Sequence, residues 1–296
     1  MIAITGGSGF IGAHLCEAIA KQTGSKPINI DINEPTSTRH CIYKKADVKN
    51  PPEMLAATVG VQTLFHLAAQ ISVQKSIENP AEDFETNAQG TLNALEACRK
   101  NNVRTFVYAS SAAIYGTPKY SPIDEAHPTE PLSPYGFSKL AGELMCSRYA
   151  SLYGIKTVRL RFFNVYGKGQ SPSSPYSGVI TKFATRIKSS EPPIIFGSGA
   201  QTRDFVHASD VAAACIFAAE SKNTSGNAYN IGTGKETSIL SLANVMIKIS
   251  GKNIPVQHKS ALEGEIEKSV ADVSVAKKDF GFSPRITLEE GLKGLL

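Results

Sequence analysis

The chain has 296 residues, of which 42% are hydrophobic and 19% charged, enough for one large or two smaller globular domains. Its net charge of +5 comes from 31 basic and 26 acidic residues that are interspersed along the chain. This distribution does not predict a basic surface that would bind nucleic acid, and it fits a small anionic ligand. No apolar run approaches the roughly 20 residues of a membrane-spanning helix, and no basic-then-apolar signal precedes Ile2. We therefore expect a soluble cytoplasmic protein that binds neither membrane nor nucleic acid.

The cysteines and histidines indicate no metal or disulfide framework. The five cysteines have no paired spacing and lie mainly in apolar or helical patterns, which predicts reduced, buried thiols. The six histidines are scattered and none stands with a cysteine at ligand spacing, so we expect no metal site.

Short β-rich runs alternate with longer helical patterns over the first half of the chain. The predicted strands are residues 2–5, 27–32, 41–44, 63–67, 105–110 and 156–162. The predicted helices lie near residues 10–23, 52–59, 81–102 and 134–153. This alternation predicts an α/β fold with a doubly wound parallel sheet of the Rossmann type and helices on both faces.

The second half of the chain has a different texture. After Asn164, the stretch VYGKGQSPSSPYSGVI predicts a long functional loop. Further strands are predicted at 202–207 and 228–231, followed by short helices and one strand near 255–258. We expect a Rossmann domain of residues 1–165, joined by a returning segment of about 203–234. A smaller C-terminal α/β domain would contain residues 166–202 and 235–296.

The stretch TGGSGFIG at residues 5–12 follows the first predicted strand and opens the first helix. In that setting one glycine can make the turn, one can admit a pyrophosphate to the backbone, and one can let the helix pack on the strand. The three are Gly6, Gly9 and Gly12. Asp31 stands at the tip of the second strand, where an acid holds the adenosine ribose and repels a 2′-phosphate. The pattern favours an NAD site over an NADP site, with a purely structural glycine turn as the alternative.

Tyr135 and Lys139 are four residues apart and therefore lie on one face of the predicted helix. An ammonium beside a phenol favours the phenolate, which lowers the pKa of the tyrosine towards the range of a general base. The same spacing is common on solvated helix faces. The dinucleotide motif and the serine-rich strand end at Ser110 and Ser111 favour the catalytic interpretation.

Nine stretches match the extended branch of the short-chain dehydrogenase/reductase superfamily, in the same order. They are TGGSGFIG, ADV, HLAAQISVQKS, NAQGTLNALEA, SSAAIYG, SPYGFSK, RFFNVYG, TRDFVH and YNIGTG. The sequence resembles the sugar-nucleotide epimerases and dehydratases of this branch over nearly its whole length. The resemblance is nearest to the UDP-glucose 4-epimerases.

The resemblance implies NAD as the cofactor and a set of residues that contact it. Asp47 and Val48 would lie beside the adenine, and the backbone of residues 67–69 beside the central phosphates and ribose. The full implied set is Gly6, Gly9, Phe10, Ile11, Gly12, Asp31, Asp47, Val48, Leu67, Ala68, Ala69, Asn87, Ser110, Tyr135 and Lys139.

The resemblance assigns catalysis to Ser111, Tyr135 and Lys139. Tyr135 would take the proton of the sugar's 4-hydroxyl as the C4 hydride leaves for NAD, and Ser111 would bond the same oxygen. Lys139 would hold the nicotinamide ribose and support the phenolate. A 4-keto sugar results, and return of the hydride to its other face gives the 4-epimer.

The residues after the catalytic serine separate the reactions of the branch. Ala112 and Ala113 stand where the dehydratases carry Asp-Glu, so dehydration is disfavoured, as is decarboxylation. Asp124 and Glu125 lie in a Pro-rich loop, where we expect a solvated turn. The implied reaction is 4-epimerisation of UDP-glucose and UDP-galactose, with UDP-N-acetylhexosamines as alternative substrates. The sequence also leaves open a product-releasing reductase or dehydrogenase, and an NAD-binding regulator without catalysis.

The resemblance also implies a nucleotide-sugar site. Its residues would be Ser72, Ser111, Tyr135, Asn164, Tyr176, Val179, Arg203 and Ser269. The planar fork of Arg203 suits the diphosphate, although a surface pair with Asp204 is the alternative. The epimerases usually carry a second arginine where this chain has Leu262, so one diphosphate anchor is missing. A small residue at the position of Ser269 would admit N-acetyl sugars, and a homodimer through the helices near 81–102 and 134–153 is implied.

Overall fold

The computed structural model describes residues 1–170, 178–261, 264 and 266–296. The strands of the first half are β1 (Ile2–Thr5), β2 (Ile28–Asp31), β3 (Ile42–Lys45), β4 (Thr63–His66), β5 (Thr105–Ser111), β6 (Lys156–Phe162) and β7 (Asn164–Tyr166). Those of the second half are β8 (Ile194–Phe196), β9 (Thr202–Arg203), β10 (Phe205–His207), β11 (Asn227–Ile231), β12 (Thr237–Ser238), β13 (Gln257–Lys259) and β14 (Lys268–Ser269).

The helices fall between these strands. They are α1 (Phe10–Thr23), α2 (Pro51–Ala57), α3 (Val73–Glu78), α4 (Pro80–Phe84), α5 (Gly90–Lys100), α6 (Pro134–Tyr153), α7 (Val179–Lys188), α8 (Ala208–Glu220), α9 (Ile239–Ser250), α10 (Ser274–Phe280) and α11 (Leu288–Lys293). None of the helices in the described part of the chain is long and apolar enough to cross a membrane.

The main sheet is a doubly wound parallel sheet with the strand order β11-β6-β5-β4-β1-β2-β3. The chain winds outward from β1 to β3, returns to β4 beside β1, and then winds outward in the other direction. The winding therefore reverses between β1 and β4. Ligands of open α/β sheets bind at the carboxyl ends of the strands beside such a reversal.

The central strands β1, β4 and β5 bury alternate side chains in two different cores. Ile4 and Phe65 pack with α1 and α8 on one face, whereas Ala3 and Leu64 pack with α2, α5 and α6 on the other. Because both faces of these strands are covered, they consist mostly of apolar residues, as the sequence predicted for β4 and β5. All five cysteines are free and buried, as predicted.

A third core lies in the C-terminal part of the chain. It contains side chains of α7, α9, α11, β8 and β10. Two small sheets border it, β8 paired with β13 and β9 paired with β12 and β14. The strand order within these sheets does not follow the chain, so residues of distant segments become neighbours there.

Three segments differ from the sequence expectation. The predicted helix near 81–102 is interrupted by a π-helical turn at Glu85–Gln89, between α4 and α5. The predicted strand at 202–207 is split at Asp204, whose buried carboxylate accepts hydrogen bonds from the backbone at Thr233, Gly234 and Ala271. The start of the predicted loop after residue 164 is β7, which pairs with β10.

A buried ion pair fastens α6 to the sheet. Arg161 on β6 and Glu143 on α6 are 2.8 Å apart, and their side chains are only 7% and 1% exposed. Arg161 also donates to the hydroxyl of Tyr115 at 2.8 Å and to the carbonyl of Glu125 at 3.0 Å. Glu125 lies in a turn, as expected, but it is half-buried and its carboxylate accepts from the backbone N–H of Asn230, so the expectation that this side chain is solvated was wrong.

Removal of one member of this pair should destabilise the protein strongly, because the other charge would remain buried without a partner. We expect Glu143→Ala to lower the free energy of unfolding by about 3 kcal/mol. The matched control is Glu17→Ala, which removes an exposed carboxylate from its pair with Lys21 and should cost less than about 1 kcal/mol. Urea unfolding measures both variants, and equal losses would contradict this account.

Candidate active site

The residues predicted to hold the cofactor lie together at one edge of the sheet. The glycine turn follows β1, and Asp31 is the last residue of β2. Asp47 and Val48 follow β3, residues 67–69 follow β4, and Ser110 lies near the end of β5. Because the strands are parallel, these positions share the carboxyl edge at which the winding reverses.

The glycine turn is fixed by the protein's own packing at two of its three positions. Gly6 has φ +72°, and a Cβ there would lie 2.6 Å from the backbone nitrogen of Ala68. A Cβ on Gly12 would lie 2.1 Å from the carbonyl oxygen of Gly6. Gly9, together with Phe10 and Ile11, forms the start of α1, where no side chain among the described residues caps the helix. The turn thus presents backbone N–H groups at the sheet edge, as a pyrophosphate requires.

Asp31 is held in place by two backbone amides. Its carboxylate accepts from the N–H of Ser8 at 3.1 Å and from the N–H of Asn33 at 2.9 Å. The carboxylate therefore stands directly beside the glycine turn. A turn that admits phosphates, with an acid at the tip of the next strand, fits the pyrophosphate and the adenosine ribose of NAD.

A buried histidine, which the sequence analysis did not single out, organises the loop after β4. His66 bonds the hydroxyl of Thr5 at 2.8 Å and that of Thr91 at 3.2 Å, and the backbone N–H of Ala68 donates to the same Thr5 oxygen. Burial, and then the charge of Lys139, lower the pKa of His66 to about 3, so its ring is neutral. This histidine supports residues 67–69 from beneath.

The structure brings Ser111, Tyr135 and Lys139 together. Ser111 is the last residue of β5, and its hydroxyl accepts from the N–H of Ala113 at 3.2 Å. The same hydroxyl lies near enough to Tyr135 to lower the pKa of the phenol. Lys139 is buried, and its ammonium donates to the carbonyl of Ala109 at 2.9 Å. The lysine nitrogen lies 6.0 Å from the centre of the Tyr135 ring. The site therefore holds a phenol, a hydroxyl and a buried ammonium at one strand end.

The pKa of Tyr135 is shifted in the direction opposite to the expectation. Burial raises the pKa of the phenol, the hydrogen bond from Ser111 lowers it, and the charge of Asp83 raises it further. Burial also lowers the pKa of Lys139 to about 8, against an upward contribution from Asp83. The polypeptide alone keeps Tyr135 protonated, so the phenolate becomes favourable only when positive charge is added beside it.

Asn87 lies in the π-helical turn and is fully engaged by neighbouring groups. Its side-chain NH₂ donates to the carbonyl of Gln70, the carboxylate of Asp83 and the hydroxyl of Ser138, at 2.9, 3.0 and 3.1 Å. Its oxygen accepts from the N–H of Gln70 at 2.8 Å. A direct contact between Asn87 and the cofactor stays a prediction.

The residues predicted to bind the sugar nucleotide come from several segments. Arg203 on β9 lies opposite Ser269 on β14, and its guanidinium donates to the carbonyl of Ile266 at 2.7 Å. Asn164 begins β7, and Val179 begins α7. These roles stay predictions.

Two further residues, Ser72 and Tyr176, complete the predicted substrate site, and Leu262 marks the position of the missing anchor. Ser72 is buried and caps α3 by accepting from the N–H of Lys75 at 3.0 Å. Its proposed contact with substrate stays a prediction. Tyr176 and Leu262 lie outside the described residues.

Comparison with known proteins identifies the family. Residues 2–232 match the model of the NAD dependent epimerase/dehydratase family. The chain belongs to the NAD-dependent epimerase/dehydratase family. A protein of Methanocaldococcus jannaschii whose provisional name is UDP-glucose 4-epimerase is 40% identical, with 99% of this chain and 96% of that protein covered.

Solved structures of similar proteins show the same fold. A UDP-glucose 4-epimerase from Thermotoga maritima, solved with UDP-glucose, has a TM-score of 0.93 and 34% identity, covering 99% of this chain and 96% of that one. A UDP-N-acetylglucosamine 4-epimerase from Methanobrevibacter ruminantium, in complex with UDP-N-acetylmuramic acid, has a TM-score of 0.92 and 31% identity, with coverages of 99% and 96%. Membership of this NAD-dependent family agrees with the cofactor that the glycine turn and Asp31 fit.

A methyl group inside the glycine turn should displace the cofactor. We expect Gly12→Ala to weaken NAD binding at least about tenfold, because its Cβ would collide with the carbonyl of Gly6. The matched control is Gly24→Ala at the other end of α1, where φ is +69° and no atom lies within 4 Å of the added Cβ. Gly24→Ala should lower stability slightly and leave NAD binding unchanged. Calorimetric titration with NAD measures both, and equal binding by Gly12→Ala and wild type would contradict this account.

Proposed function

We propose that the protein is an NAD-dependent 4-epimerase of UDP-sugars that interconverts UDP-glucose and UDP-galactose. The observation that carries this proposal is the assembly of Ser111, Tyr135 and Lys139 at the sheet edge that holds the glycine turn, with alanines directly after the serine. The similar UDP-sugar 4-epimerases support it, both in sequence and in solved structure.

The three side chains and the cofactor would divide the chemistry between them. When bound, NAD supplies the hydride acceptor and, in its reduced form, the hydride donor. Tyr135 takes the proton of the sugar's 4-hydroxyl and later returns it, and the neighbouring hydroxyl of Ser111 holds the same oxygen. The buried ammonium of Lys139 favours the phenolate of Tyr135 once the site is filled.

The residues after Ser111 favour epimerisation over elimination. Ala112 and Ala113 open a short 3₁₀ turn, Ala112–Tyr115, and offer no group that could take a proton from a neighbouring carbon. A transient 4-keto sugar would therefore have a single route onward, which is return of the hydride. If the 4-keto sugar turns its opposite face to the cofactor before the hydride returns, the product is the 4-epimer.

The substrate side is proposed from residues of the C-terminal part. Arg203 would bind the diphosphate and Ser269, its neighbour across the β9–β14 pair, would line the sugar pocket. A serine leaves room for an N-acetyl group, so UDP-N-acetylhexosamines form the second candidate substrate class. Segments 166–202 and 235–296 would form the substrate-binding domain.

We also propose that the protein is a homodimer that pairs through the helical segment near 81–102, which contains the end of α4 and α5, and through α6. Four large apolar side chains are exposed on and beside these helices: Phe84, Leu132, Phe137 and Leu144, at 47%, 65%, 57% and 60%. Phe84, Leu132 and Phe137, together with Pro80 and Pro134, border a shallow apolar depression. Burial of such a surface against a second copy would remove it from water.

The substrate class can be tested by incubating the purified protein, without added NAD, with UDP-, dTDP- and GDP-hexoses and N-acetylated UDP-hexoses. Chromatography then separates the 4-epimers. Conversion of UDP-glucose or UDP-galactose without added cofactor supports the proposal, and exclusive conversion of N-acetylated sugars favours the second candidate. Net accumulation of NADH would indicate a dehydrogenase, and no conversion of any sugar would favour a regulator.

Loss of the phenol should remove catalysis and leave cofactor binding intact. We expect Tyr135→Phe to lower kcat at least about a hundredfold, because the phenol is the group proposed to exchange the proton of the 4-hydroxyl. Tyr153→Phe is the matched control, since Tyr153 ends the same helix and is 49% exposed. Full activity in Tyr135→Phe would contradict the proposed mechanism.

A further inference from the structure

Asp83 is a buried carboxylate that the proposed mechanism does not use. It lies on α4 and is only 1% exposed. Its oxygens accept from the hydroxyl of Ser138 at 2.6 Å, from Gln70 at 2.8 Å and from Asn87 at 3.0 Å. All three donors are neutral, so hydrogen bonds solvate the carboxylate without neutralising its charge.

Within the described residues, no cation lies within 4 Å of this carboxylate. A buried charge without a direct partner is costly unless a charge of opposite sign lies near it. Lys139 on α6 is the buried cation whose charge couples to Asp83. Asp83 and Lys139 thus carry opposite charges without forming a direct ion pair. The neutral Ser138 links α4 to α6.

The other ionisable groups around α4 do not replace Lys139. Lys75 on α3 is exposed and pairs with Glu82 at 3.8 Å, and Lys49 pairs with Glu85 in the π-helical turn at 3.6 Å. On α6, Tyr135 faces the same buried region as Lys139. His66, beyond Lys139, carries no charge because of its burial.

The position of Ser138 connects this charge to the proposed catalytic pair. Ser138 directly precedes Lys139, and its hydroxyl lies 3.0 Å from the carbonyl of Tyr135. The bond to Asp83 therefore holds the turn of α6 that carries both residues. Asn87 accepts from Gln70 and donates to Ser138, which ties the same turn of α6 to the loop after β4.

We propose that Asp83 is a positioning residue for the catalytic pair: it fixes the α6 turn through Ser138 and supplies a buried negative charge that acts on Lys139 and Tyr135. The inference rests on the proposed roles of Tyr135 and Lys139. The carboxylate disfavours the phenolate of Tyr135 at the same time. Asp83 therefore sets the pH range over which the phenolate and the ammonium exist together.

The sign of the effect follows from the charges. Removal of the negative charge relieves repulsion of the phenolate, so Tyr135 loses its proton at lower pH. The same change removes an attraction to the ammonium, so Lys139 also loses its proton at lower pH. Both limbs of the pH–rate profile should move in the same direction, whereas a loosened structure would lower the rate without that common shift.

The test is a tyrosinate absorbance titration of the NAD-loaded protein, with the Tyr135→Phe protein subtracted to isolate Tyr135. We expect Asp83→Asn to lower the titration midpoint of Tyr135 by about one pH unit, as for a charge in a largely buried environment. Single-turnover reduction of bound NAD by UDP-glucose should show both limbs shifted to lower pH. The absorbance titration needs no sugar, so it tests Asp83 even if the proposed reaction is wrong.

Matched variants separate charge from packing. Ser138→Ala keeps the carboxylate and should slow turnover while leaving the Tyr135 midpoint unchanged. Glu82→Gln removes an exposed charge from the neighbouring residue of α4 and should change neither. If Asp83→Asn does not fold, Asp83→Ser provides the same test with a smaller neutral group.

An unchanged or raised Tyr135 midpoint in a folded, uncharged variant would overturn the proposal. Failure of both uncharged variants to fold, with normal folding of Asp83→Glu, would also overturn it. That result would show that the charge of Asp83 is needed for folding and not for the catalytic pair.

Discussion

Helix α6 can present Tyr135 and Lys139 to the sheet edge only if its rotation and height on the sheet are fixed. The ion pair between Glu143 and Arg161 fixes both, because Glu143 follows Lys139 by four residues on the same helix face. Arg161 lies on β6, directly beside β5, which ends at Ser111. A single buried interaction thus relates the helix that carries the phenol to the strand that carries the hydroxyl.

The charges of the polypeptide alone do not favour an ionised Tyr135 in this site. Burial raises the pKa of Tyr135 and lowers that of Lys139, and both shifts oppose the ionised forms that proton transfer needs. The charge of Asp83 raises the pKa of both groups, so it favours the ammonium of Lys139 and disfavours the phenolate of Tyr135. On the proposed mechanism, the phenolate would become favourable once positive charge arrives with the bound cofactor, and proton transfer would thereby be coupled to cofactor binding.

Much of the fold could be predicted because its signals are local. Apolar strands, the glycine turn and the acid at Asp31 each follow from short stretches of sequence, and α1, α6 and β6 match their predicted bounds. Ser111 ends β5 and Tyr135 begins α6, the next long helix of the chain, and such a helix starts at the carboxyl edge of the sheet, where Ser111 lies.

The features that the sequence did not predict depend on contacts between distant segments. The π-helical turn at Glu85–Gln89 has the composition of an ordinary helix, yet it directs Asn87 towards Ser138 and Gln70. Glu125 looks like a loop residue until Asn230, from a strand more than a hundred residues later, binds its carboxylate. The reversed pKa shift of Tyr135 likewise depends on three-dimensional burial, which the spacing of Tyr135 and Lys139 does not show.

The central claim is that the sugar is oxidised at C4 and reduced again by the same hydride. The most direct test is to supply UDP-galactose with deuterium at C4, omit added NAD, and locate the deuterium in the UDP-glucose formed. The account predicts complete retention of deuterium at C4, with no net NADH. Loss of deuterium to solvent, or a requirement for stoichiometric added NAD, would contradict it.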